Sequence, residues 1–307
     1  MNAGVLEKIK QSAAVPSIPQ VVVRFLEVVQ NPDFDYDDVV KVLSADAGTV
    51  SELLRLANSS LFGLAGKVTS LRKALTMLGP NRTRSLVLGR CLVERMNSCP
   101  VGTVDVTYFW RRSLASAVLS ARLAEVVLPK LREEAFISAL LADIGVPILS
   151  ETFQEQYEPV AVRYRPKGVP VTEDEERESV GVTHAEVSAM VLAHWGVPDT
   201  ICKAVNLQQS LTVQPADDAT RIARVINAAD RVARLLCEIP DEQDACLTCA
   251  EAMAFINVDL EVLVRILGDV EHDVQELTAI LHTDVIPSSV YQVIALAIQR
   301  QLSAAPA

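Results

Sequence analysis

The sequence predicts an all-α protein built as two helical lobes. Three observations carry that prediction. Apolar residues recur at helical spacing along almost the whole chain, and no segment alternates convincingly between apolar and polar residues. Half of the 307 residues are hydrophobic but only 5% are aromatic, and the Leu-, Val- and Ala-rich remainder suits packed helices. Asp, Thr, Asn, Gly and Pro fall where the apolar period stops and restarts.

Val21-Val22-Val23 is the most strand-like run, but its continuation through Val29 keeps one apolar helical face, and Asn31-Pro32 stops it. Asp35 is placed to cap a helix through Leu43, with Asp37 and Asp38 in its first turn, where carboxylates meet the positive end of the helix dipole. Asp46 starts the next helix, which carries Leu53, Leu54, Leu56 and Ala57. Gly79-Pro80 ends another, and Asn81 is read as the cap of a successor reaching Arg95.

Cys99-Pro100-Val101-Gly102 breaks strongly periodic segments on both sides and sets the expected lobe boundary, with residues 1–102 in one lobe and 103–307 in the other. A long helix rich in small residues follows from Val106 to Val127, then one from Leu131 to Leu141. One of two readings of Asp143 is a cap for the helix after it. Residues 166–181, with the charged run Glu173 to Glu178, read as a loop. Thr183 and Glu186 form a capping box, each satisfying a free backbone N–H at the start of a helix that ends at Trp195-Gly196. Pro198 marks a new start, and helical stretches follow at 218–238, 243–256, 259–282 and 287–302.

The net charge of −11 is uneven. Residues 1–100 carry 12 Lys/Arg against 9 Asp/Glu, and the rest of the chain carries 16 against 30. An acidic surface repels phosphate backbones, so no nucleic-acid partner is expected. No apolar run is read as approaching the ~20 residues needed to span a bilayer, and the start lacks the basic-then-apolar order of a signal peptide. The expected location is the cytoplasm, with no membrane association. Without an export signal, the six cysteines are expected to be reduced. Cys246 and Cys249 form a lone CxxC with no second pair to complete a zinc site.

Several ordered blocks resemble the HDOD family, the bacterial "HD-related output domain". They are Ser17-Ile18-Pro19, Val39 to Asp46, Leu54 to Gly63 (which contains Ala-Asn-Ser-Ser-x-Phe-Gly), and Val68 to Gly79. Later blocks are Trp110 and Ser113, Leu140 to Gly145, Glu178 to Glu186, and His194 to Pro198. The resemblance covers about residues 15–235 and implies a two-lobed helical fold with a C-terminal lobe like that of HD-superfamily phosphohydrolases. None of these residues is a nucleophile with a base at an interpretable spacing, and the blocks read as architectural.

The resemblance also implies a degenerate metal site. An HD phosphohydrolase converges His and Asp side chains on cations that lower the pKa of bound water and neutralise the phosphoryl group. Its first His corresponds here to Arg112, and the His of the His-Asp pair to Ala142, whose methyl group cannot ligate. Asp143, His184 and Asp230 keep ligand-type side chains, whereas amides at Gln208 and Gln209 stand where later histidines would fall. These five positions, Arg112, Ala142, Asp143, His184 and Asp230, form the expected site cluster. No catalytic residue, metal or cofactor is expected; a single divalent metal, if bound, would sit on Asp143, His184 and Asp230. The implied function is a non-catalytic signalling or regulatory output role through contacts with a signalling protein. The rival is a divergent metal-dependent phosphohydrolase or phosphodiesterase acting on a nucleotide.

Overall fold

A computed structural model describes residues 3–12, 15, 20–31, 33–59, 67–80, 83, 87, 102–238, 240–281 and 286–304. The expected cap at Asn81, the helix to Arg95 and the break at Cys99 to Val101 lie outside the described residues, as do Ser17 to Pro19 and Ser60 to Gly63. Among the described residues the regular structure is helical.

The chain divides into two compact units. The first comprises Met1–Val15, Pro100–Gln275 and Thr283–Ala307, and the second Pro16–Cys99 with Glu276–His282. This division differs from a single cut at residue 102, because the N-terminal helix α1 (Ala3–Lys10) joins the first unit. There Ile9 is fully buried, Lys8 lies 4.5 Å from the centre of the Phe153 ring, and Ser12 and Thr152 share a hydrogen bond of 2.7 Å.

The second unit contains α2 (Gln20–Gln30), α3 (Tyr36–Leu43), α4 (Ala47–Ala57) and the helical residues 71–80, α5. Asp35 and Asp46 cap α3 and α4, accepting from the backbone N–H groups of Asp37 and Gly48. Phe25, Leu43, Leu53 and Leu75 are buried in this unit.

In the first unit, α6 (Val106–Val127) is the central helix, packed against α7 (Arg132–Leu141) and α13 (Asp218–Glu238). Its buried Ala115, Ala117, Ala121 and Ala124 let neighbouring backbones approach closely. The chain turns at residues 142–144 into α8 (Gly145–Thr152), continues as α9 (Gln154–Ala161), and then forms α10 (Glu173–Val180). The charged run expected in a loop is therefore helical. Thr172 and Glu175 make a capping box, and Gly181 closes the helix in the left-handed conformation at φ +79°.

Next come α11 (His184–His194), opened by the Thr183/Glu186 capping box, α12 (Asp199–Asn206), α14 (Glu242–Phe255), α15 (Leu260–Leu281) and α16 (Ser288–Ala304). Asp217, which the sequence reading passed over, receives the Thr220 backbone N–H at 2.9 Å at the start of α13. A second correction concerns Pro129–Thr152, a stretch long and apolar enough to cross a membrane by length and composition. Of its most apolar window, 89% is buried inside the fold, and a turn at 142–144 divides it into core helices.

The contact between α8 and α11 fixes the site's floor. A Cβ on Gly145 would lie 2.2 Å from the His184 carbonyl oxygen, and the Gly145 N–H donates to Ser188 Oγ at 2.8 Å. Gly145→Ala must push two backbones apart and is expected to destabilise the protein by about 1–3 kcal/mol. Urea denaturation checks this, and an unchanged midpoint would show that the two helices do not meet here.

Candidate functional site

The end of α7 delivers Ala142 and Asp143, the first turn of α11 delivers His184, and α6 and α13 deliver Arg112 and Asp230. All lie in the first unit. They form two adjoining groups. In one, Arg112 grips Asp230 in a bidentate pair, Nε to Oδ1 at 2.8 Å and Nη2 to Oδ2 at 2.5 Å. In the other, His184 Nε2 lies 3.3 Å from Asp143 Oδ1. Of the two readings of Asp143, the cap is not the one seen: Ile144 takes that place without a side-chain bond, and the carboxylate faces His184.

The other side of His184 belongs to a residue the sequence reading passed over. Glu176 is fully buried. Both its oxygens lie 2.9 Å from His184 Nδ1, and Oε2 also accepts the His184 backbone N–H at 3.0 Å. Tyr157 donates its hydroxyl to the same carboxylate, and the Tyr164 hydroxyl stands 3.2 Å from His184 Nδ1. The imidazole is thus held between carboxylates on α10 and at the end of α7.

Burial by itself would lower the His184 pKa, but the Glu176 charge and the Asp143 hydrogen bond reverse this and raise it to about 10. Asp143 is the counterpart: burial opposes its charge, and His184, Arg112 and Gln208 overcome that and hold it down at about 2. Arg112 is desolvated too, yet Asp230 keeps its pKa well above the ordinary value. The result is a charge-paired set in which an imidazolium and a guanidinium stand among three carboxylates. The Gln209 carboxamide stands beside the imidazole with its Nε2 3.2 Å from His184 Nε2, and its Oε1 has no hydrogen-bond partner; exchanging the two amide atoms would give that oxygen the imidazolium N–H as donor.

The amides at 208 and 209 are therefore framework. Gln208 Nε2 donates to the Ala142 carbonyl at 2.9 Å and to Asp143 Oδ1 at 3.1 Å, and the Gln208 carbonyl accepts from Asn227 Nδ2 at 2.7 Å. At position 142 only the backbone takes part.

This donor set does not fit a divalent cation. A protonated imidazole offers no lone pair. Asp143 is taken up by His184 and Gln208, and Asp230 carries a guanidinium whose charge repels a second cation. Among the described residues no group of three or more His, Cys, Asp or Glu side chains is arranged to hold a metal. The Cys246–Cys249 pair does not alter this: Cys249 is buried, and Cys246 Sγ lies 3.1 Å from the Ala297 carbonyl on α16. His194 and His272 are exposed, and His282 lies outside the described residues. An open cavity of about 520 Å³ stands over the Arg112–Asp230 pair, with Tyr164, Gln209 and Asn227 also in its lining.

The HDOD domain family matches residues 15–211, more than half of the sequence. The chain belongs to the HDOD family. An HDOD domain protein with unknown function from Geobacter sulfurreducens superposes with a TM-score of 0.68 at 18% identity, covering 90% of this chain and 96% of that one. A candidate phosphohydrolase from Shewanella amazonensis SB2B superposes with a TM-score of 0.71 at 23% identity, covering 91% and 98%. An uncharacterized protein of Treponema pallidum (strain Nichols) is 23% identical over 235 residues, 75% of this chain; the match spans 44% of that relative's length.

In this HDOD chain the Ala57-Asn58-Ser59 block has a visible structural task. Asn58 Nδ2 donates to the Leu54 and Val68 carbonyls at 2.6 and 2.8 Å, and its Oδ1 accepts the Val68 N–H at 2.7 Å. It closes α4 and ties it to the strand-free segment that leads into α5.

Proposed function

We propose that this HDOD protein is a non-catalytic regulatory module of the cytoplasm that acts through contacts with a signalling protein. The observation that carries the non-catalytic part is the bidentate Arg112–Asp230 pair. It places a fixed guanidinium on a carboxylate that a phosphohydrolase would offer to a metal. The Glu176–His184–Asp143 set supports it by engaging both imidazole nitrogens. A regulatory role is supported by the family itself and by a structural neighbour described as a candidate signal transduction protein, from Marinobacter aquaeolei VT8, with a TM-score of 0.57 at 21% identity.

The purified protein is expected not to hydrolyse nucleotides, cyclic dinucleotides or p-nitrophenyl phosphate with added Mn, Mg, Fe or Zn, as followed by separation of substrate and product nucleotides and by p-nitrophenol release. Turnover that disappears in Asp143→Ala would overturn the non-catalytic reading and favour the metal-dependent phosphohydrolase. Affinity capture from the native cell followed by mass spectrometry tests the partner, and a preparation that enriches no signalling protein would count against it.

A further inference from the structure

The cavity over the Arg112–Asp230 pair has a mixed lining that the regulatory reading leaves unused. Its volume of about 520 Å³ is that of a small-molecule site. Arg231 and Arg234, one turn apart on α13, line it together with Arg112, among the carboxylates of Glu173, Asp230, Glu238 and Glu251, and the buried Glu238 holds Arg234 at 3.0 Å. Arg112 turns Nε and Nη2 to Asp230, so Nη1 is the edge of the fork left for a further anion. Arg231 is paired with Glu251, whose side chain is 56% exposed against 26% for the arginine. An ion pair with so exposed a partner contributes little and exchanges readily for an anion held within the cavity. Val169, Pro170 and Leu211 line it as well, the first two beside Arg163, whose guanidinium donates to their carbonyls, and Val169 and Leu211 are 68% and 62% exposed. Large aliphatic side chains left this bare beside guanidinium groups suit a ligand with an apolar body and one anionic end.

We propose that this cavity binds a small amphipathic organic anion. Its head group takes the place of Glu251 on Arg231 beside the open edge of Arg112, and its apolar body covers Val169, Pro170 and Leu211. The proposal rests on the non-catalytic reading in one respect: the ligand is held without being turned over. Carboxylates and phosphate monoesters share the required head-group chemistry, and the test separates them.

Isothermal titration of the full-length protein would use octanoate and hexyl phosphate, both below micelle-forming concentration, with acetate and 1-octanol as probes lacking the tail or the charge. Saturable binding of octanoate, hexyl phosphate or both is expected, at least about tenfold tighter than for acetate or 1-octanol, and the stronger of the two names the head group. Arg231→Gln and Leu211→Ser are each expected to weaken it by about tenfold while leaving ligand-free melting near that of the native protein. No saturable binding of either amphiphile, equal binding of 1-octanol, or unchanged affinity in both variants would overturn the proposal. Release of phosphate from hexyl phosphate would leave the pocket standing and remove the non-catalytic reading. Absence of both binding and turnover would remove the pocket and leave that reading intact.

Discussion

Arg112→Ala is expected to lose about 3 kcal/mol of stability, the lower end of the cost of breaking a buried ion pair. For a chain of this size that lowers melting by about 5–10 °C. The cost arises mainly from what remains. Without its guanidinium, Asp230 is a partly buried carboxylate with no fixed counter-charge, close to a second carboxylate, Asp143, that Arg112 also helps to keep ionised. Removing both charges together is much milder, so Arg112→Leu combined with Asp230→Leu should recover most of the loss. Melting with and without added Mn²⁺ separates two accounts of the site. If the arginine stands in for a metal, the single variant stays destabilised in metal-free buffer, and the native protein gains nothing from the ion. A single variant that melts like the native protein, or a native protein strongly stabilised by Mn²⁺, would reject the arginine account.

Much of the helical order was legible in the sequence because its signals are local. The Asp35, Asp46 and Thr183 caps and the long periodic stretches of α6 and α13 depend on residues within a turn or two of each other. Arg112 and Asp230, 118 residues apart, could be brought together on paper only by resemblance to a family pattern, since no periodicity links α6 to α13. Glu176 was missed for a related reason. In the run Glu173 to Glu178 it looks like any solvated carboxylate, and five neighbours of similar polarity hide its burial. Two signals were present. Thr172 and Glu175 have capping-box spacing, which makes the run helical, and Val180 lies one turn beyond Glu176 on the same face. That pair, Glu176 at 0% and Val180 at 8% exposure, is the buried stripe of α10. What no local signal could show is that the stripe carries an acid because a histidine eight residues later needs one.

That need has a pH signature. The charged groups and hydrogen-bonding partners facing His184 are Glu176 from α10, Asp143 from the end of α7, the Tyr157 and Tyr164 hydroxyls, and Gln209, with Arg112 beyond Asp143. The folded His184 pKa is raised from 6.5 to about 10, so its contribution is complete below pH 6.5 and is lost as pH rises through about 10. Asp143 is lowered from 3.8 to about 2, so its contribution is complete above pH 3.8 and is lost as pH falls through about 2. Stability owed to the pair is therefore greatest between those limits. It declines above neutrality by up to about 1.4 kcal/mol per pH unit, reaching about 3–5 kcal/mol by pH 10. His184→Gln removes the buried cation and leaves Glu176 and Asp143 facing each other across a neutral amide. That variant is expected to be several kcal/mol less stable at neutral pH and to gain stability on acidification, as a carboxylate takes up a proton. Between pH 8 and 10 it should lack the decline of the native protein. Urea titrations of both proteins across this range provide the check. A native profile that is flat from pH 7 to 10 would mean that His184 is neutral in the fold and keeps a lone pair for a ligand, which would reopen the metal reading of the site.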